Sequence, residues 1–304
     1  MILRNLLLFL STQKQLRAWM ENSPITARLT QRFVAGSSLE DALAVCRKLN
    51  EERIMVTLDH LGESVRSSSG AEAYRDAYVE ALRRVEELGL AATISVKLTQ
   101  LGLEISEALC RQNVEPLVQL ARRTGNRVEI DMEASPLVDR TLAIVEEMHL
   151  KYGCVRGVIQ AYLRRSEGDL LRLCELGAPV RLCKGAYKEP SEMAFPRKRD
   201  VNRNYVRLAR ALLEKGREPA LATHDPKMIA AALDYARQLK LPAESFEFQM
   251  LYGIRRDLQS ALVRQGFRLR LYVPYGNAWY PYFMRRLAER PANLLFLLRH
   301  LFRS

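Results

Sequence analysis

The sequence has few of the features that staple small folds. Its five cysteines, at positions 46, 110, 154, 174 and 183, are odd in number and form no CxxC pair. That excludes a disulfide framework and a thiolate zinc site, no metal is called for, and a reducing cytosol is the natural compartment. With 15 glycines and 12 prolines in 304 residues, collagen and low-complexity disorder are excluded too. Long apolar runs are missing. The opening MILRNLLLFL carries five apolar residues in a row after Asn5, against the ~20 that span a bilayer, and has no small-residue cleavage site. Neither a transmembrane helix nor a signal peptide is expected. GxGxxG and the GxxxxGK phosphate loop are both absent, so neither a Rossmann fold nor a P-loop has support. Acidic residues are the minority, 35 against 47 Lys and Arg, for a formal charge of +12. From Leu251 onward ten arginines face only Asp257 and Glu289, a surplus that suits anionic partners or a solvated basic face. Aromatic platforms interleaved with basic residues do not recur, so no nucleic-acid partner is expected.

What the chain does have is a beat. After a polar, helix-like opening to about Asn50, eight short β-branched or apolar runs alternate with longer amphipathic stretches. The runs are IMVTL (54–58), AATISV (91–96), RVEIDM (127–132), VRGVIQA (155–161), PVRLC (179–183), ALAT (220–223), FEFQM (246–250) and RLRLYV (268–273). Helical period fills the spaces, as in Ala73 to Leu88 and Ser135 to His149, several opened by Ser, Asp or Pro. Parallel strands need crossover connections, so this repeat predicts a distorted (β/α)8 TIM-type barrel with an N-terminal helical extension. The expected organisation is one domain over 1–304, with the extension over about 1–50, the barrel over about 51–291 and a C-terminal helix over 292–304. SSSG at 67–70 reads as a short loop.

In such a barrel the chemistry sits at the carboxyl ends of the strands. Strand two ends in Lys97, strand three in Asp131 and Glu133, and strand four in Gln160. Strand five opens with Arg181 and runs into Lys184, Gly185, Ala186 and Tyr187, while strand six ends in Thr223, His224 and Asp225. Strands seven and eight deliver Gln249 and Tyr272. A single polar strand end simply meets solvent; seven together point to a site. Beyond strand eight, YPYFMRRLAE sets Tyr282 with Arg286 and Arg285 with Glu289 at helical i, i+4 spacing. The two guanidinium forks can clamp a carboxylate or phosphate, or form a surface pair with an internal salt bridge. The segment ANLLFLLRHLF (292–302) has an apolar face beside Arg299 and Arg303; it can pack on the body or lie on anionic lipid. The residues alone leave two other classes open. One is a barrel acting on a phosphorylated substrate with Lys97 as Schiff-base lysine, and the other a non-enzymatic basic nucleic-acid-binding protein.

Seven motifs in order, SVKLTQLG, VEIDME, GVIQAY, RLCKGAY, LATHD, FEFQMLYG and YxxRRxxE, resemble those of proline dehydrogenase, in its short monofunctional bacterial form. The resemblance covers about Asp59 to Glu289. It implies a flavoprotein that binds FAD at the strand ends. Such an enzyme oxidises L-proline to Δ1-pyrroline-5-carboxylate by hydride transfer to flavin N5 and passes electrons to a membrane quinone, with a separate Δ1-pyrroline-5-carboxylate dehydrogenase downstream. By the same resemblance Lys97, Arg285 and Arg286 match positions that hold the proline carboxylate, and Asp131 and Arg181 match catalytic positions beside the flavin. Met132, Gln160, Arg181, Lys184, Gly185, Ala186, Thr223, His224, Gln249 and Glu289 fall in the flavin-binding set. Tyr187, Leu251, Tyr272 and Tyr282 match residues that shape the ring pocket, and Glu63, in DHLGES, matches a lid glutamate that pairs with an active-site Arg. Cys183 stands where Val is common in the family, and Asn202 where Asp is frequent. The implied place is the cytoplasm, with peripheral contact at the inner face of an anionic cell membrane. Physically, a clamped carboxylate would orient the substrate carbon over the flavin, and Arg181 would stabilise charge on the reduced ring. Asp131 would orient its neighbours or assist loss of the amine proton, and His224 reads as a cofactor contact ahead of a base.

Overall fold

The computed structural model describes residues 13, 32–62, 64–280 and 282–284. Eight strands, β1 (Met55–His60), β2 (Ala92–Val96), β3 (Val128–Ile130), β4 (Val155–Gln160), β5 (Val180–Cys183), β6 (Ala220–Ala222), β7 (Glu247–Leu251) and β8 (Arg268–Tyr275), form a closed barrel in sequence order. Every pairing is parallel, and β1 closes on β8 with Thr57 opposite Tyr272. The eight runs read from the sequence are these strands, shifted by a residue or two at their ends.

Alternation along each strand explains the shell. Val56 and Leu58, Ile94 and Val96, Val128 and Ile130, and Leu269, Leu271 and Val273 are buried at every second position, and a period of two sends them all to one face. That face meets the apolar stripes of the helices. In chain order these are α1 (Leu39–Glu51), α2 (Ser68–Glu87), α3 (Glu107–Arg123), α4 (Val138–Tyr152), α5 (Ser166–Glu175), α6 (Lys198–Lys215), α7 (Pro226–Gln238) and α8 (Arg256–Arg264). In α3, for example, Cys110, Val114, Leu117, Val118 and Ala121 are all buried, and truncating one such Leu to Ala costs about 2–5 kcal/mol. Ser38, Ser67 and Ser106 cap α1, α2 and α3 by accepting a backbone N–H, and Asp225 does so for α7 ahead of Pro226. The SSSG segment is therefore a helix start and not a loop: Ser67 is the cap, and Ser68 to Gly70 lie in the first turn of α2. Ser135 to Leu137 form a 3₁₀ turn, so α4 begins at Val138.

Two departures from a regular barrel matter for function. α1 packs against β1 and β8, the gap that a helix following β8 would ordinarily fill. The chain after β8 is thereby released. It turns at Gly276, whose φ is +110° and where a Cβ would lie 2.8 Å from the His60 ring, and residues 279–280 and 282–284 are helical. Tyr280, Tyr282, Phe283 and Met284 then form a second small core with Phe33, Val34, Leu61 and Ile254. Leu61 and Ile254 follow β1 and β7, so this cluster sits at the carboxyl ends of the strands.

The other departure is the interior. Barrels of this kind are usually filled by branched apolar side chains. Here the second set of alternating positions supplies Thr57, Asp59, Thr93, Ser95, Glu129, Arg156, Arg181, Glu247, Gln249 and Arg270, all buried.

Candidate active site

The interior charges are built in two storeys. The lower one joins Glu129, Arg156, Glu247 and Arg270. Arg156 Nη1 donates to Glu247 Oε1 at 2.5 Å, and Arg270 Nε reaches the same oxygen at 3.0 Å. Arg156 also approaches Glu129 at 3.5 Å. Burial alone would raise both carboxyls, but Arg270 and Arg156 outweigh it at Glu247, which falls to about 2. Arg181, Arg156 and Arg270 likewise hold Glu129 far below the carboxylate range. Arg156 is pulled down by its own burial despite these two partners.

The upper storey holds the residues read as catalytic. Arg181 is the second residue of β5, so it does not open the strand, and its side chain spans both storeys. Nε donates to Glu129 Oε2 at 3.0 Å, Nη1 to Asp131 Oδ1 at 2.6 Å and Nη2 to Ser95 Oγ at 3.1 Å. Burial disfavours the cation, yet Glu129 and Asp131 more than offset it, and the Arg181 pKa stands above its ordinary value. Asp131 also accepts from Ser95 Oγ at 2.9 Å and Tyr272 Oη at 2.7 Å. The Arg181 guanidinium lies 5.4 Å from the Tyr272 ring centroid, a cation–π distance. Lys97 Nζ sits 2.9 Å from Asp59 Oδ1, 3.4 Å from Tyr272 Oη and 3.7 Å from Asp131. Lys97, Arg156, Arg181 and Arg270 are interleaved with Asp59, Glu129, Asp131 and Glu247, so each of these cations meets at least one carboxylate. Burial raises the Asp59 pKa against the pull of Lys97.

Around this centre the other predicted residues fall on the loops that follow the strands. Gln160 Nε2 donates to the Met132 carbonyl at 2.9 Å, joining two members of the flavin set. Lys184 Nζ donates to Asn202 Oδ1 at 2.7 Å and Asp225 Oδ2 at 2.8 Å, so Asn202 serves as acceptor to that ammonium. His224 Nε2 accepts the Leu251 backbone N–H at 2.8 Å. With Nε2 accepting, the ring is the neutral Nδ1–H tautomer, which agrees with a structural contact. Thr223 Oγ1 accepts from the Asp225 N–H at 3.1 Å. Tyr187 packs on the main core, and Leu251 and Tyr282 belong to the second cluster. Gln249 Nε2 donates to Glu247 Oε1 at 2.7 Å, tying this member of the flavin set to the lower storey. Glu63, Arg285, Arg286 and Glu289 lie outside the described residues. A cleft of about 170 Å³ opens at the opposite, amino-terminal end of the strands, lined by Arg122, Arg127, Arg217 and Glu218 among others. It touches none of the predicted site residues.

Two observations bear on whether the mouth suits a dinucleotide-sized group with polar ring edges. Gln160 Oε1 is buried and has no hydrogen-bond partner among the described residues, so it would accept from an incoming N–H. Gly185 has φ of +99°, and a Cβ there would fall 2.0 Å from the Tyr162 ring, so only glycine lets the loop turn against that ring. The Gln160 acceptor fits a flavin's N–H edge, and the glycine fixes the turn beside it. Sequence reasoning missed Glu129, Arg156, Glu247 and Arg270. The signal was a charged residue at an alternate position within each strand run.

The family model for proline dehydrogenase matches residues 42–299. The chain is 39% identical over 303 residues to proline dehydrogenase 2 of Bacillus subtilis (strain 168), covering 98% of each. It is 38% identical over 276 residues to proline dehydrogenase of Deinococcus radiodurans, covering 89% of each. Among solved structures, proline utilization A (PutA) from Bdellovibrio bacteriovorus, inactivated by N-propargylglycine, superposes with a TM-score of 0.82 at 30% identity. The match spans 87% of this chain and 33% of that one.

Proposed function

From the premise that the chain belongs to the proline dehydrogenase family, and is an oxidoreductase that acts on proline in proline catabolism, we propose that it uses FAD to convert L-proline to Δ1-pyrroline-5-carboxylate and passes the electrons to a membrane quinone. The observation that carries this reading is the upper storey itself, where Lys97, Asp131, Arg181 and Tyr272 form one connected network at the strand ends. FAD, when bound, supplies the two-electron acceptor. Met132, Gln160, Arg181, Lys184, Gly185, Ala186, Thr223, His224 and Gln249 would hold it, with Glu289 from the chain after β8.

Lys97 would hold the substrate carboxylate, together with Arg285 and Arg286. Asp59, on the neighbouring strand, pins its ammonium. Asp131 already accepts from Ser95, Arg181 and Tyr272. That suits a residue which orients a guanidinium and a phenol more than one which takes a proton from the amine, so we assign it the orienting role. Arg181, fixed on two carboxylates, carries positive charge at the mouth without reorganising as charge develops. Tyr272, Leu251, Tyr187 and Tyr282 would exclude water around the ring, and Glu63 would pair with an active-site Arg as a lid. The whole of 1–304 would act as one barrel domain. A separate dehydrogenase would consume the product. No helix among the described residues is long and apolar enough to cross a membrane; the basic C-terminal region would bring the enzyme to an anionic surface from the cytoplasm.

The visible spectrum tests the reading. The purified protein should show oxidised flavin absorbance that bleaches when L-proline is added without oxygen. A protein that stays colourless after incubation with FAD, or flavin that does not bleach, would overturn it.

A further inference from the structure

We propose that Glu129 is the positioning residue of this active site, fixing the Arg181 guanidinium and, through it, Asp131; the proposal rests on the reading of Arg181 and Asp131 given above. Glu129 lies on β3 and Asp131 is two residues on, just past the strand's end with its N–H still bonded to the Val96 carbonyl, so both point into the barrel with Glu129 one storey deeper. Arg181 lays its Nε edge on Glu129 Oε2 at 3.0 Å, with Nη2 bonded to the same oxygen, and turns Nη1 toward Asp131 Oδ1 at 2.6 Å. A guanidinium held by carboxylates on two edges cannot rotate without breaking one pair. The other oxygen of Glu129 is occupied as well. Thr57 and Thr93 hydroxyls each donate to Oε1 at 3.2 Å, and Arg156 approaches it at 3.5 Å. Glu129 is wholly buried and stands below the groups assigned to substrate and cofactor, so it acts only through them.

The barrel supplies its own control. Glu247 lies in the same storey, is equally buried and shares Arg156 and Arg270 with Glu129. Its bonds among the described residues run to arginines other than Arg181 and to Gln249. Removing either carboxylate takes the same charge from the same ion network, but only Glu129 touches Arg181.

The experiment compares Glu129→Gln, Glu129→Asp and Glu247→Gln as holoenzymes, by anaerobic stopped-flow flavin reduction, steady-state kcat and KM, flavin fluorescence on FAD binding, and melting temperature. Glu129→Gln should slow reduction at saturating proline by about tenfold to a hundredfold, the scale of an ångström-level misplacement. KM for proline should change less than the rate, because Lys97 is held by Asp59 independently of Arg181. FAD should bind more weakly, since Arg181 is a cofactor contact. Glu129→Asp keeps the charge on a shorter arm; it should fold well and fall between Glu129→Gln and the wild type. Glu247→Gln should keep a near-wild-type rate at a similar thermal cost. Equal rate losses for Glu129→Gln and Glu247→Gln at equal melting temperature would overturn the proposal, as would a wild-type rate in Glu129→Asp, which decides the matter if Glu129→Gln does not fold. Arg181→Lys separates the two levels of argument. A slow Arg181→Lys with fast Glu129 variants sinks the positioning role alone, whereas a fast Arg181→Lys removes the catalytic reading and the proposal with it.

Discussion

Replacing Glu133 with Gln should flatten a specific part of the pH dependence of stability. Glu133 follows β3 and is buried, with Oε1 accepting the Thr99 hydroxyl at 2.7 Å and Oε2 the Thr99 backbone N–H at 3.2 Å. Burial lifts its pKa from 4.5 to about 7, against the downward pull of Thr99 and Lys97. The folded state therefore binds a proton more tightly than the unfolded chain. For such a group the stabilisation is fully present below the unfolded pKa and is lost as pH rises through the folded one. A rise from 4.5 to about 7 corresponds to about 3 kcal/mol, each tenfold in proton affinity being worth about 1.4 kcal/mol. In a chain of this length that is roughly 5 °C in melting temperature. Glutamine mimics the protonated acid: its amide can donate to the Thr99 hydroxyl and its carbonyl accept the Thr99 N–H. The assay is thermal unfolding of wild type and Glu133→Gln between pH 4.5 and 8.5, read as the difference between the two proteins at each pH. His60 and His149, whose pKa values burial lowers, contribute the opposite slope below neutrality, but they are common to both chains and cancel. The wild type should lose ground to the variant steadily through pH 7. A difference that stays constant over that range would refute the reasoning.

Four further outcomes are expected. Gly185→Ala, which sets a Cβ 2.0 Å from the Tyr162 ring at a φ of +99°, should cost about 1–3 kcal/mol in backbone strain alone and lower flavin content on purification, measured as the absorbance ratio of flavin to protein. Arg286→Met should reduce kcat/KM for proline by about 30-fold or more, as for a truncated buried charge pair, while flavin content stays near wild type; an unchanged kcat/KM would return the arginine pair to a surface role. Acid or heat should release FAD from the polypeptide, and flavin that remains with the denatured chain would disprove noncovalent binding. Anionic vesicles carrying quinone should support faster turnover than neutral ones at low salt and lose that advantage at high salt; equal rates at low salt would remove the membrane from the account.

The barrel was legible because its signal is distributed. Eight β-branched or apolar runs, separated by amphipathic stretches, cannot easily be anything else, and motifs such as RLCKGAY fall at the strand ends. The lower storey was not legible in the same way. Glu129 in RVEIDM, Arg156 in VRGVIQ, Glu247 in FEFQM and Arg270 in RLRLYV look like imperfections in apolar strands when each is taken alone. They become affordable inside a barrel only because strands far apart in sequence bring opposite charges together, and that pairing is a property of closure. SSSG was misread for a local reason: serine favours both loops and N-caps, and the choice lies with the helix that follows. Which gap α1 fills depends on packing between the two ends of the barrel, for which a single sequence has no local mark.

The helix that seals the ring is among the earliest pieces made. α1 has a partner as soon as β1 leaves the ribosome, but its other support, β8, follows only after the stretch from Glu52 to Phe267. At the ~5–20 residues per second of synthesis that interval is roughly ten to forty seconds. For its duration β1 has an open edge, and part of the apolar face around Leu43 and Cys46 awaits its covering. A nascent chain in this state needs shielding from its neighbours, and a fragment that terminates before Arg268 keeps two unpaired strand edges for good. Such fragments should be cleared as aggregation-prone debris and should not persist as partial barrels, even when they end long after the strand that carries Arg181.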